Sequence, residues 1–116
     1  MHAYLLTGGS KEDRAKYLSD LLDPKTELIH VINEKTTISI KQIQDLNIPL
    51  SIAARIPRIV WIEESNLMTP PSQNALLKML EEPPSNTTFY LSTQSPMTML
   101  PTIRSRVKTI SLENKI

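Results

Sequence analysis

The chain has 116 residues, 40% hydrophobic and 22% charged, proportions that suit one globular domain with one core. Thirteen Lys and Arg against twelve Asp and Glu leave a formal net charge of +1, so no overall field points to nucleic acid or acidic lipid. The absence of cysteine excludes a disulfide framework and a thiolate zinc site, and His2 and His30 are too few and too far apart to suggest a metal centre. In chain order, His2–Thr7 reads as a first strand. It runs into Gly8-Gly9-Ser10 and then a helix over Lys11–Leu22, with Arg14, Tyr17, Leu18, Leu21 and Leu22 at helical spacing. A strand, a glycine turn and a helix open a phosphate-binding loop, whose pattern is G-x-x-x-x-G-K-[ST]. Here no second glycine follows, no Gly-Lys-Ser or Gly-Lys-Thr occurs, and Glu12 and Asp13 stand where an anion would bind. No nucleotide or metal cofactor is therefore expected.

Glu27–Ile32 reads as the second strand. Ile40, Ile43, Leu46, Asn47 and Leu50 then repeat at helical spacing, and Pro49 is expected to kink or end that helix. Arg58–Glu63 ("RIVWIE") is nearly all apolar, as befits a central parallel strand covered on both faces. Thr69 and Pro70 make a helix start, a hydroxyl cap followed by proline at the first position. "SQNALLKML" is its body, and Pro83-Pro84 stops it. Glu81 and Glu82 close this helix at its negative end, where each acid is disfavoured by ~0.3–1 kcal/mol. Either solvent screens them or a basic group lies nearby, one option being a partner subunit. Thr87–Ser92 and Val107–Leu112 complete five short strands. The alternation predicts an α/β domain around a parallel sheet. With only 4% aromatics, its core should be mostly Leu, Ile, Val and Met.

Ligands on open α/β sheets bind at the carboxyl ends of the strands, and three features converge there. "IVWIEES" ends in adjacent carboxylates, Glu63 and Glu64. In P-loop NTPases an acid at this place holds Mg²⁺ and a following glutamate polarises the attacking water. Glu63 is one methylene longer than the usual aspartate, and an acidic pair after a strand is also an ordinary loop feature. Thr93 follows the fourth strand, where a hydroxyl can orient a γ-phosphate or serve plain turn chemistry. "LPTIRSRV" brings Arg104 and Arg106 in an irregular segment before the last strand; at i and i+2 they point different ways, so one at most is expected to be buried or bound. They are either solvated surface charges or a guanidinium presented to a phosphate across an interface.

"SQNALLKMLEEPPSNTTFYLSTQSPMTMLPTIRSRV", residues 72–107, closely resembles the middle of bacterial clamp-loader AAA+ subunits, the gamma/tau and delta-prime subunits of DNA polymerase III. "SIKQIQDL" is similar to the family's Ile-x-Gln-Ile-Arg helix and "RIVWIEESNLMT" to its Walker B strand. The resemblance spans roughly residues 28–112. It implies a three-layer α/β/α sandwich with a five-stranded parallel sheet, the P-loop NTPase or AAA+ core, as a single domain over residues 1–116 without lid or collar. It also implies that Glu63 and Glu64 are a Walker B-like remnant and that Thr93 lies in the sensor-1 neighbourhood. Arg106 matches the arginine of a Ser-Arg-Cys motif, a finger that reaches into a neighbour's ATP site. The departures are the missing Walker A loop, glutamate for the Walker B aspartate, Val107 for the motif's cysteine, and no four-cysteine zinc module.

The delta-prime type keeps the fold and the finger while losing ATPase function, and this chain looks most like it. The implied role is a non-catalytic subunit in DNA replication whose partners are other clamp-loader or replication subunits. No direct DNA binding is expected of one near-neutral domain. Two alternatives stay open. One is an NTPase with an atypical loop, using Lys11 for phosphate and Glu64 as base. The other is a receiver-like signalling domain, to which Thr93 and Lys108 fit but in which Gly8-Gly9 replaces the needed acidic pair. No apolar stretch approaches the ~20 residues of a membrane span, and the N-terminus lacks a signal-peptide layout, so a cytoplasmic location without membrane contact is expected.

Overall fold

Successive side chains along a strand point to opposite faces of its sheet, and in the computed structural model, which describes residues 2–113, both faces are buried. β1 (Ala3–Thr7), β2 (Glu27–Val31), β3 (Arg58–Glu63), β4 (Thr87–Thr93) and β5 (Lys108–Ser111) form one sheet in the order β2-β3-β4-β1-β5. Every neighbouring pair is parallel. Five helices connect them: α1 (Lys11–Leu21), α2 (Ile40–Gln44), α3 (Asn47–Leu50), α4 (Pro70–Glu81) and α5 (Pro101–Arg104). Single 3₁₀ turns at Ser65–Leu67 and Pro96–Thr98 complete the connections.

Period two sorts the strand residues. Ala3, Leu5, Val60, Ile62, Phe89 and Leu91 face one side, under Ile43 of α2, Leu50 of α3, Leu76, Met79 and Leu80 of α4 and Ile103 of α5. Leu6, Ile59, Trp61 and Tyr90 face the other, where Leu18 of α1 covers them with Tyr17 and Leu22 against the margin. The result is the expected three-layer α/β/α sandwich. The core is indeed dominated by Leu, Ile, Val and Met, with Phe89, Trp61 and Tyr90 placed in the central strands. No helix among the described residues is long and apolar enough to cross a membrane.

Three local expectations need correction. The helix read through Ile40–Leu50 is two helices, broken at Asp45 and Leu46. Pro49 does not end it; the proline sits in the first turn of α3, where its missing N–H has no intrahelical partner to lose. The ladder gives way one turn earlier, where the Asp45 carbonyl receives Ile48 N–H instead of a bond from residue 49. Thr93 belongs to β4, one residue beyond the expected end. The segment carrying the arginines is not wholly irregular, since Pro101 opens α5 and Arg104 closes it. Of the two readings of Glu81, a basic group does lie nearby, and it is this chain's own: Arg106 Nη2 lies 3.6 Å from Glu81 Oε1.

Candidate functional site

Parallel strands deliver all their carboxyl ends to one rim of the sheet. The strand order puts β1 between β4 and β5, with β3 one strand further. The turn after β1 therefore meets the segments that leave β4 and β3, although all three are far apart in sequence.

Gly8 and Gly9 both take left-handed backbone, at φ 79° and 61°, which L side chains rarely adopt. A Cβ on Gly8 would also stand 2.8 Å from Glu113 Cγ and 3.0 Å from Glu113 N. The turn leads into a capping box that starts α1. Ser10 N donates to Asp13 Oδ2 at 2.9 Å, and Asp13 N donates to Ser10 Oγ at 3.0 Å. These bonds from the Ser10 backbone and side chain hold the Asp13 carboxyl below its ordinary pKa. They also occupy two amides at the point where a phosphate-binding helix would present N–H groups to its ligand.

The centre of the site is Arg14, only 3% exposed. Its Nη1 donates to Gly8 O, Gly9 O and Gln94 Oε1, each at 3.0 Å. Two hydrogens serve three acceptors, so one is shared. Its Nη2 lies 3.6 Å from Glu64 Oε1. Arg14 thus ties the turn after β1 to the first residue after β4 and to the acid after β3. A phosphate cradle points N–H groups inward; at Gly8 and Gly9 the inward groups are carbonyls, and their ligand is a guanidinium of the same chain.

Glu63 and Glu64 have separate surroundings. Glu64 sits at φ 54°, a conformation that costs a non-glycine residue of order 1 kcal/mol or more and recurs at functional sites. That twist turns its carboxylate towards Arg14. Glu63 instead pairs with two bases, His30 Nε2 at 2.8 Å from Oε1 and Lys11 Nζ at 3.8 Å from Oε2. His30 lies opposite Trp61 in the β2–β3 register and stacks on it, with centroids 4.1 Å apart and planes 3° from parallel. Trp61 Nε1 donates to Ser92 Oγ at 2.9 Å. Lys11, His30, Ile32, Asn33, Glu63 and Glu64 line a hollow of about 260 Å³. Each acid thus has a base of this chain beside it, Arg14 for Glu64, and His30 and the mostly exposed Lys11 for Glu63.

Thr93 is fully buried. Its hydroxyl donates to Asn66 Oδ1 at 2.9 Å and accepts from Ser95 N at 3.0 Å, so it braces the segments after β3 and β4. Its neighbour Gln94 is the residue from this stretch that reaches Arg14. Arg106 stands apart, about half exposed and paired with the equally exposed Glu81. Arg104 is more covered, its Nη1 3.4 Å from Met97 Sδ. Gln94 carries no motif and offered no signal. Arg14 did offer one, a charge on the apolar stripe of a helix.

The family model for "DNA polymerase III, delta subunit" matches residues 23–115. The DNA polymerase III subunit delta' of Escherichia coli K12 is 38% identical over 76 residues, 64% of this chain and 23% of that protein. The gamma/tau subunit of Mycobacterium tuberculosis H37Rv is 45% identical over 49 residues, 42% of this chain and 8% of that protein. Among solved structures, a DNA polymerase III gamma subunit-related protein of Thermotoga maritima superposes with a TM-score of 0.82 at 25% identity, covering 97% of this chain and 41% of that one. Thermotoga maritima RuvB shares the fold, with a TM-score of 0.66 at 15% identity over 99% of this chain and 38% of that one. The chain spans less than a quarter of the length of the E. coli relative.

Proposed function

The chain belongs to the family described as DNA polymerase III, delta subunit, and from that premise we propose that it works in DNA replication as a non-catalytic, clamp-loader-like subunit acting through protein contacts. The observation that carries this reading is Arg14. A triphosphate needs inward amides; the turn offers carbonyls already bonded to a buried guanidinium and an amide taken by Asp13. Placing a phosphate there would break a buried, charge-assisted network, at a cost of several kcal/mol. Glu63 and Glu64 are then relics of metal and water chemistry, retained as counter-ions.

Arg106 is the residue through which such a subunit can still influence hydrolysis. It is half exposed, and its pair with Glu81 is long and solvated, worth at most about 1 kcal/mol. It can leave that pair for a neighbour's phosphate, where the rigid guanidinium fork suits a transferring phosphoryl group. In an assembly reconstituted with ATP-hydrolysing partner subunits, Arg106→Ala should lower their turnover by about 10³-fold or more, while the domain's own melting temperature stays put. Unchanged turnover in a fully assembled complex removes the finger role.

A further inference from the structure

We propose that Arg14 is a built-in occupant of the glycine turn, a positioning residue that holds the ends of β1, β3 and β4 in one arrangement without any bound ligand. The proposal rests on the reading that this turn takes no nucleotide. Four oxygens from three segments converge on one guanidinium: Gly8 O, Gly9 O and Gln94 Oε1 at 3.0 Å, and Glu64 Oε1 at 3.6 Å. None of those four can donate a hydrogen in that geometry, so without a cation they would face one another unpaired. Gln94 and Glu64 can turn to solvent, being partly exposed. The two glycine carbonyls cannot, because left-handed backbone at both residues and the close approach of Glu113 fix the turn. The Glu64 Oε1 atom is itself buried with no hydrogen-bond donor beyond the Arg14 pair. The group in this cradle must therefore be a hydrogen-bond-donating cation, and Arg14 supplies it from α1, with Nη1 bonding the three oxygens and Nη2 facing the Glu64 carboxylate.

The prediction is a complementary cavity. Truncating Arg14 leaves an oxygen-lined hole with a preference for guanidinium-type cations. Its occupancy is readable through the chain's single tryptophan, since Trp61 bonds Ser92 two residues before Gln94. The experiment uses the full chain as wild type, Arg14→Ala and Arg14→Lys, and follows melting temperature and Trp61 emission. Each is measured with methylguanidinium chloride, with tetramethylammonium chloride at equal ionic strength, and with ATP and Mg²⁺. Arg14→Ala should melt roughly 10 °C or more below wild type and regain at least half of that loss, saturably, in tens of millimolar methylguanidinium. Tetramethylammonium should restore nothing. Arg14→Lys, which keeps the charge but not the fork, should fold and melt between the two. It keeps the test decisive if the alanine variant does not fold, because melting equal to wild type would show that no fork is needed. Equal response to the two cations overturns the role given to Arg14. ATP raising the wild-type melting temperature overturns instead the underlying reading of the turn, so the two failures are told apart.

Discussion

An arginine on the apolar stripe of a helix must find oxygens or leave, because an unpaired buried charge is far costlier than any packing its stem supplies. Arg14 finds them in the turn that precedes its own helix. Its helical phase beside Tyr17, Leu18 and Leu21 was legible in the sequence, and so was the lack of a Gly-Lys pair. What the guanidinium bonds was not, since Gln94 and Glu64 lie 80 and 50 positions away and only the strand order brings them near. Asp13 belongs to the same scale. Its carboxyl is held below the ordinary value by the Ser10 bonds, so the capping box contributes its full stability above the unfolded value of about 4 and loses it as pH falls through the folded one. The melting gap between wild type and Asp13→Asn should therefore be constant from neutral pH down to about pH 5 and shrink only below about pH 4. A side-chain NMR titration of Asp13 should give a midpoint under that value; a midpoint at or above it contradicts the assignment.

At the scale of elements, the strongest local signals translated most directly. β3 and α4 occupy the bounds their residues announce, the one by its apolar run, the other by a Thr-Pro start and a Pro-Pro stop. Elements of four or five residues were harder to read, because no periodicity develops in so short a span. α5 escaped although Pro101 at its first position is a start signal, and the break between α2 and α3 falls a turn before Pro49. The Thr69 cap is also a joint. Thr69 Oγ1 accepts from Ser72 N at 3.2 Å, and the next residue on α4, Gln73, accepts from Leu100 N at 2.7 Å. Thr69→Ala should cost about 1 kcal/mol, or roughly 3–6 °C of melting temperature, and Thr69→Ser should recover most of it. A calorimetric scan in which the alanine variant matches wild type would show that the proline alone sets the helix start.

For the whole molecule, the sheet order β2-β3-β4-β1-β5 is what makes a site of distant pieces. It carries the turn after β1 to the acids after β3 and the amide after β4, the geometry in which nucleotides are bound by sheets of this kind. Here the same geometry converges on an arginine, while the fold and family relationship persist over most of the chain. Fold and family were legible because the strands alternate with helices and the stretch from Ser72 to Val107 is distinctive; the state of the rim was not, because it depends on which way two carbonyls point. The most direct measurement is calorimetric titration of ATP with Mg²⁺ into the full chain at neutral pH. The predicted result is no saturable heat up to about 1 mM ligand, a bound of roughly −4 kcal/mol on any binding. Saturable binding in the micromolar range, with Arg14 in place, would contradict the account.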